Sequence, residues 1–288
     1  ICEFIDKNKQ LLETPIIEIY YKSLLLIKYP DKEALFIEMK ELLLKYTGQI
    51  HPRYLSQVYT NTINYANRQH KLGKKNYMPI MFALYKNMTD KGILTMSTYI
   101  RHQHYKNIVT IGLKLKEFKW TKQFIDNYRY KLSCKLRESV YHYNMANWFF
   151  SQGYYAKSNQ HLLFIKFSNI FYYLDYKKML LQTYYELNEI SAGLSLIETL
   201  RSYLRRTKKL STENQRAYQN FVRIARKLFR IKHGGRKSPE QLKQEIETMQ
   251  LLNEREWLLE KTNELITMHL QLQKLKQLQK QQALKDNN

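Results

Sequence analysis

A chain of 288 residues with 44% hydrophobic content is long enough to bury a substantial core and too apolar to be wholly disordered. Two cysteines, Cys2 and Cys134, are too few for a disulfide framework or a thiolate zinc site and point to a reducing, cytoplasmic setting, and no apolar run reaches membrane-spanning length. A formal net charge of +23 favours anionic partners, whether acidic proteins, nucleic acid or lipid headgroups.

Only 8 Gly and 5 Pro predict long helices joined by short turns. Ile5, Leu11, Leu12, Ile16, Ile19, Tyr20, Leu24 and Ile27 recur at helical spacing before a break at Pro30-Asp31. Asp31 or a neighbour is placed to cap a helix over 33–46, which Gly48 ends. His51-Pro52 opens another, Gly73 marks a turn, and 77–88 forms a further helix before a turn near 90–92.

Beyond about residue 97 a 35-residue register emerges. Phe118, Gly153 and Asn188 align, then Trp120, Tyr155 and Ile190, then Gln123, Ser158 and Gly193. Each unit is expected to be two antiparallel helices with a tight turn at the first column. A large residue packs back from the second column, and the small Ser158 or Gly193 lets the helices cross closely. A lone helix pair cannot hide both apolar faces, so such pairs must stack.

Residues 141–163 resemble a tetratricopeptide repeat, through Asn144-Met145-Ala146, Phe149, Gly153, Tyr155 and Ser158. Residues 180–200 look like the same motif, through Leu181, Tyr184, Asn188, Ile190, Gly193 and Leu194, and 108–128 is a more divergent unit with Trp120 in the aromatic position. The family's loop proline is missing from all three, and its first-helix Trp-Leu-Gly is degenerate. The whole chain also resembles bacterial repeat proteins of the Bacteroidetes. The resemblance implies an all-α fold, an α-α superhelix whose concave surface holds a peptide. The repeat register, the charge distribution and the leucine spacing divide the chain into a repeat domain over 1–200 (clearest over 108–200), a basic amphipathic helix and linker over 201–237, and a long Leu/Gln-rich helix over 238–288.

Between 201 and 237 lie 13 Lys or Arg residues and one acid, Glu213. On a helix over 215–231, Phe221, Ile224, Ala225 and Leu228 share one side, while Arg216, Arg223, Arg226, Lys227 and Arg230 form a cationic face suited to an anionic partner. His233-Gly234-Gly235-Arg236-Lys237 breaks it, and Ser238-Pro239 reads as the cap and first turn of the next helix. From 240 to 282 there is no Gly or Pro, and Leu251, Leu258, Leu265 and Leu272 are spaced by seven, so one long helix with coiled-coil character and a capacity for self-association is expected.

No nucleotide loop, nucleophile elbow or metalloprotease histidine pair is present. His102 and His104 point apart on a helix, and nothing activates Cys134 beside His142. No catalytic residue, metal or cofactor is therefore assigned. Tyr154, Lys157, Tyr173, Lys177 and Tyr185 are expected to line a peptide groove with a positive rim. The functional expectation is a non-catalytic scaffold binding a peptide or protein segment, an acidic one included; the alternative is phosphate-backbone binding to nucleic acid through 201–237.

Overall fold

The computed structural model describes residues 1–96, 98–166, 169–235 and 238–286. Among these, every regular element is a helix: α1 (Cys2–Lys7), α2 (Pro15–Lys28), α3 (Glu33–Tyr46), α4 (Pro52–Lys71), α5 (Tyr77–Asp90), α6 (His102–Lys114), α7 (Phe118–Tyr128), α8 (Arg137–Phe150), α9 (Tyr155–Leu162), α10 (Ile170–Glu186), α11 (Ile190–Arg206), α12 (Thr212–Lys232), α13 (Pro239–Thr248) and α14 (Arg255–Asp286), with three short 3-10 turns. The helices group into two compact units, Ile1–Ile165 and Lys166–Asn288, so the division falls inside the stretch with the repeat register. Arg236 and Lys237 of the expected break, and the last two residues of the expected C-terminal helix, lie outside the described residues.

In the first unit, each helix packs on its sequence neighbours, and α6 also packs on α8. Tyrosine fills the seams. Phe36 stacks on Tyr65 at 4.8 Å, and the buried Tyr77 donates its hydroxyl to Glu33 at 2.6 Å. Tyr105 likewise buries its ring and reaches the Ile125 carbonyl at 2.7 Å. Such rings supply packing area while the hydroxyl finds a partner at the seam edge. The cap position of α3 falls on the neighbour of Asp31, Lys32, without a side-chain bond, and Asp31 pairs with Arg68 at 3.4 Å.

The pairs α6–α7, α8–α9 and α10–α11 share one turn. At Gly153 (φ 79°), the N–H of Tyr154 donates to the Phe149 carbonyl and that of Gly153 to Phe150. Asn188 (φ 60°) repeats this with Glu189 to Tyr184 and Asn188 to Tyr185. In the α6–α7 pair the residue doing so is Lys116 (φ 61°), with Glu117 donating to Gly112 and Lys116 to Leu113. This is the Schellman closure, in which a left-handed residue lets two N–H groups satisfy the last carbonyls of the helix. The expected register is therefore corrected for the first unit of the series. Lys116, not Phe118, matches Gly153 and Asn188.

Phe118 then matches Tyr155 and Ile190 as the first residue of the second helix. Trp120 leaves the aromatic column; it packs instead on Phe82 at 5.0 Å and Phe124 at 5.5 Å. The small column becomes Thr121, Ser158 and Gly193, all buried. There a Cβ on Gly193 would come within 2.3 Å of the Phe229 ring, so α11 and α12 cross only because that side chain is missing.

In the second unit α10, α11 and α12 follow in sequence, and α13 and α14 form a hairpin against α12. The single C-terminal helix expected over 238–288 is corrected to two, α13 and α14, with a break at 249–254 that contains no Gly or Pro. Glu254 adopts φ 55°, and its carboxylate receives Lys178 of α10 at 2.7 Å. Two further contacts seat the first half of α14: Trp257 packs on Tyr185 at 5.4 Å, and Lys261, buried, pairs with Glu186 at 3.1 Å. Of the heptad leucines, Leu258 and Leu265 are buried within the unit, while Leu272 is exposed together with Met268, Leu275 and Leu278.

Two substitutions test the turn and the crossing. Lys116→Gly is expected to raise the urea midpoint, by roughly 1 kcal/mol of stability, because glycine adopts the left-handed conformation without the Cβ clash. Gly193→Val is expected to lower stability by about 1–3 kcal/mol through overpacking against Phe229.

Candidate binding surfaces

On α4 the residues left out of the core form a polar stripe: Asn64, Asn67 and Lys71, at i, i+3 and i+7. On α6 the same spacing recurs 43 residues later, with Asn107, Thr110 and Lys114. The two left-handed turns that end these helices, Gly73 and Lys116, are also 43 residues apart, so the stripes are equivalent positions of two successive hairpins.

The six side chains face one cleft of about 420 Å³, floored by Met78, Met81 and Tyr85 of α5 and by Ile63 and Ile111. Asn64 and Asn67 make no side-chain hydrogen bond among the described residues, and the buried Nδ1 of His70, at the same cleft, has no partner. Burial pushes the Tyr85 hydroxyl up to about 12, and Asn107 bonds to it. A second cleft of about 330 Å³, lined by Leu26, Ile27, Asn61 and Arg68, continues past Asn64 towards α2. Together they make an amide-lined groove with an apolar floor and two lysines at the C-terminal ends of α4 and α6.

In the second unit the cationic face lies over α11 and α12. A cleft of about 700 Å³ is lined by Arg223, Arg226, Lys227 and Arg230, with Ile190, Leu194 and Phe229 among its apolar walls. An adjoining one of about 270 Å³ shares Arg223 and Arg226 and adds Arg201 and Arg205 over Leu204 and Val222. Four of the five basic residues singled out by pattern thus come together. The fifth, Arg216, is exposed two turns earlier on the same face and lines neither cleft. Arg201 and Arg205 were missed because they belong to the preceding helix, and only the packing of α11 on α12 brings them in.

Of the residues expected to line one tyrosine groove, Tyr154 and Lys157 belong to the first unit and Tyr173, Lys177 and Tyr185 to the second. Tyr154 is 54% exposed, with Lys157 above its ring at 5.4 Å, in the first unit. Tyr173 packs on Tyr203 at 4.9 Å with Lys177 over it, in the second. Tyr185 is corrected to a core residue: it is 2% exposed, between Phe229 and Trp257, with Lys232 against its face at 4.1 Å.

The α8–α9 hairpin carries one more polar cluster. His142 and His161 face each other Nδ1 to Nδ1 at 2.9 Å, so one imidazole donates and the other accepts. Phe164 stacks on His142 at 4.6 Å, and the Glu138 carboxylate stands 3.9 Å from its Nε2. Burial holds both histidines below the usual value, and for His161 the charges of His142 and Lys122 add to it. Among the described residues, no group of three or more His, Cys, Asp or Glu side chains is arranged to hold a metal ion, and no helix is long and apolar enough to cross a membrane. No family model, curated protein or solved structure matches the chain.

Burial also lowers His102 and His104, so all four of these histidines bind protons more readily when the first unit is unfolded. Stability is then full above the unfolded value of ~6.5 and falls as pH drops through it. Urea unfolding over a pH series should show that fall, and His142→Gln/His161→Gln should make it shallower; an unchanged slope would assign it to His102 and His104 alone.

Proposed function

We propose that the chain is a non-catalytic helical-repeat scaffold, tetratricopeptide-like and superhelical in its stacking, that holds an extended peptide or protein segment along the amide stripes of α4 and α6. One observation carries this reading: the stripes Asn64-Asn67-Lys71 and Asn107-Thr110-Lys114 face a common cleft, and Asn64 and Asn67 have no side-chain partner among the described residues. An extended peptide presents an unpaired N–H and C=O at nearly every residue, and a carboxamide offers both a donor and an acceptor to match them. Hydrogen bonds to backbone read no side chain, so selectivity falls to the methionine-lined floor, which adapts to varied apolar groups. Lys71 and Lys114 favour an acidic group at one end of the segment.

Peptides selected by display against the full chain test this. A selected peptide should bind the Asn64→Leu/Asn67→Leu variant at least about tenfold more weakly, with helical content and thermal midpoint unchanged because neither amide supports the fold. Undiminished binding, or a selection that returns no peptide, contradicts the reading.

A further inference from the structure

The cleft on α11 and α12 is chemically unlike the amide groove and lies in the other unit. Six cations line it and its neighbour: Arg201, Arg205, Arg223, Arg226, Lys227 and Arg230. Two carboxylates of the same unit reach them, and both show how this surface takes an anion. Glu245 of α13 sits on Lys227 at 2.6 Å, with Arg223 at 3.8 Å. Glu198 of α11 lies between Arg201 at 3.0 Å and Arg226 at 3.2 Å. Each carboxylate is thus held between two cations, at least one of them an arginine.

Those two acids do not saturate the site. Arg230 is exposed and has no carboxylate partner among the described residues, and the Nε–H of Arg226 is buried without an acceptor. Arg205 has only a long contact to Ser202, at 3.4 Å. Beneath these donors the walls are apolar, formed by Ile190, Leu194, Leu204 and Val222. A phosphate backbone would find the charges but waste the floor. The one aromatic ring besides His233, Phe229, is packed against Gly193 and Tyr185 and offers no face for a base to stack on.

We infer that the cleft formed by α11 and α12 is a second binding site, for an acidic protein segment in which apolar side chains alternate with carboxylates. The carboxylates engage Arg205, Arg226 and Arg230, and the apolar side chains lie on the aliphatic floor. The site works independently of the amide groove.

Fluorescence anisotropy with the full chain and a short labelled peptide of alternating glutamate and leucine tests the inference. Comparators are the same peptide with glutamine for glutamate, with serine for leucine, and a single-stranded oligonucleotide of equal charge. The glutamate–leucine peptide should bind, and Arg230→Glu should weaken it at least about tenfold while Lys274→Glu, an equal charge change on exposed α14, costs under about twofold. Both altered peptides should bind at least about tenfold more weakly. Asn64→Leu/Asn67→Leu should leave this binding intact, which separates failure here from failure of the groove. The inference is overturned if Lys274→Glu matches Arg230→Glu, if the serine peptide binds as well as the leucine one, if the oligonucleotide binds as tightly and depends on Arg230, or if no peptide binds.

Discussion

The left-handed residue that closes four of the helix hairpins sets much of the geometry of the rest. Gly73, Lys116, Gly153 and Asn188 all sit at positive φ, and each lets the next residue's N–H reach back to the carbonyl five positions earlier. That bond satisfies carbonyls that would otherwise end unpaired and turns the chain back antiparallel within a few residues. With the turn fixed, the azimuth of every side chain on both helices follows. After Lys116, Gly153 and Asn188, the residue five positions on points into the helix crossing, which is why Thr121, Ser158 and Gly193 are small and buried. Positions nine, six and two before it lie on a common face, which in α4 and α6 is the amide stripe.

The second unit adds a polar constraint to this plan. Lys178 is largely buried between Asp175 and Glu254, at 3.2 and 2.7 Å. Burial lowers its pKa, but the two carboxylates outweigh that and raise it; burial and Asp175 push the Glu254 carboxyl up, and the Lys178 ammonium outweighs them and holds it below the usual carboxylate range. Such a cluster is costly if one member is lost and adds little if replaced whole, so its value lies in specifying where the chain turns. It fixes the break before α14 and leads into the Trp257 and Lys261 contacts that seat the helix. The packing of α12 against α11, α13 and α14 then leaves the arginine face uncovered over α11.

Much of this architecture was legible in the sequence, because helix boundaries here are written in local chemistry. Pro52 and Pro239 occupy first turns, and Ser238 accepts from the N–H groups of Glu240 and Gln241. The signal failed where a tertiary contact overrode local preference. Glycine and asparagine announce a left-handed residue, whereas Lys116 does not, and the register slipped by two. Glu254 gives no sign of a break because its stabilising partner, Lys178, is 76 residues away. The amide stripes escaped for another reason: exposed asparagines leave no mark in hydrophobic periodicity, and only the 43-residue recurrence of Asn, polar and Lys, anchored on the two turns, reveals them.

The central claim is that the carboxamides of Asn64 and Asn67 on α4 and of Asn107 on the equivalent α6 form a surface for peptide backbone. Side-chain amide resonances of the asparagines, followed by nuclear magnetic resonance as a bound peptide is titrated in, report on it directly. The account predicts that the Asn64, Asn67 and Asn107 NH2 signals shift together and saturate with the binding curve, while that of Asn144, buried and bonded to the Val140 carbonyl, stays in place. Saturable binding with those three signals unmoved would contradict it.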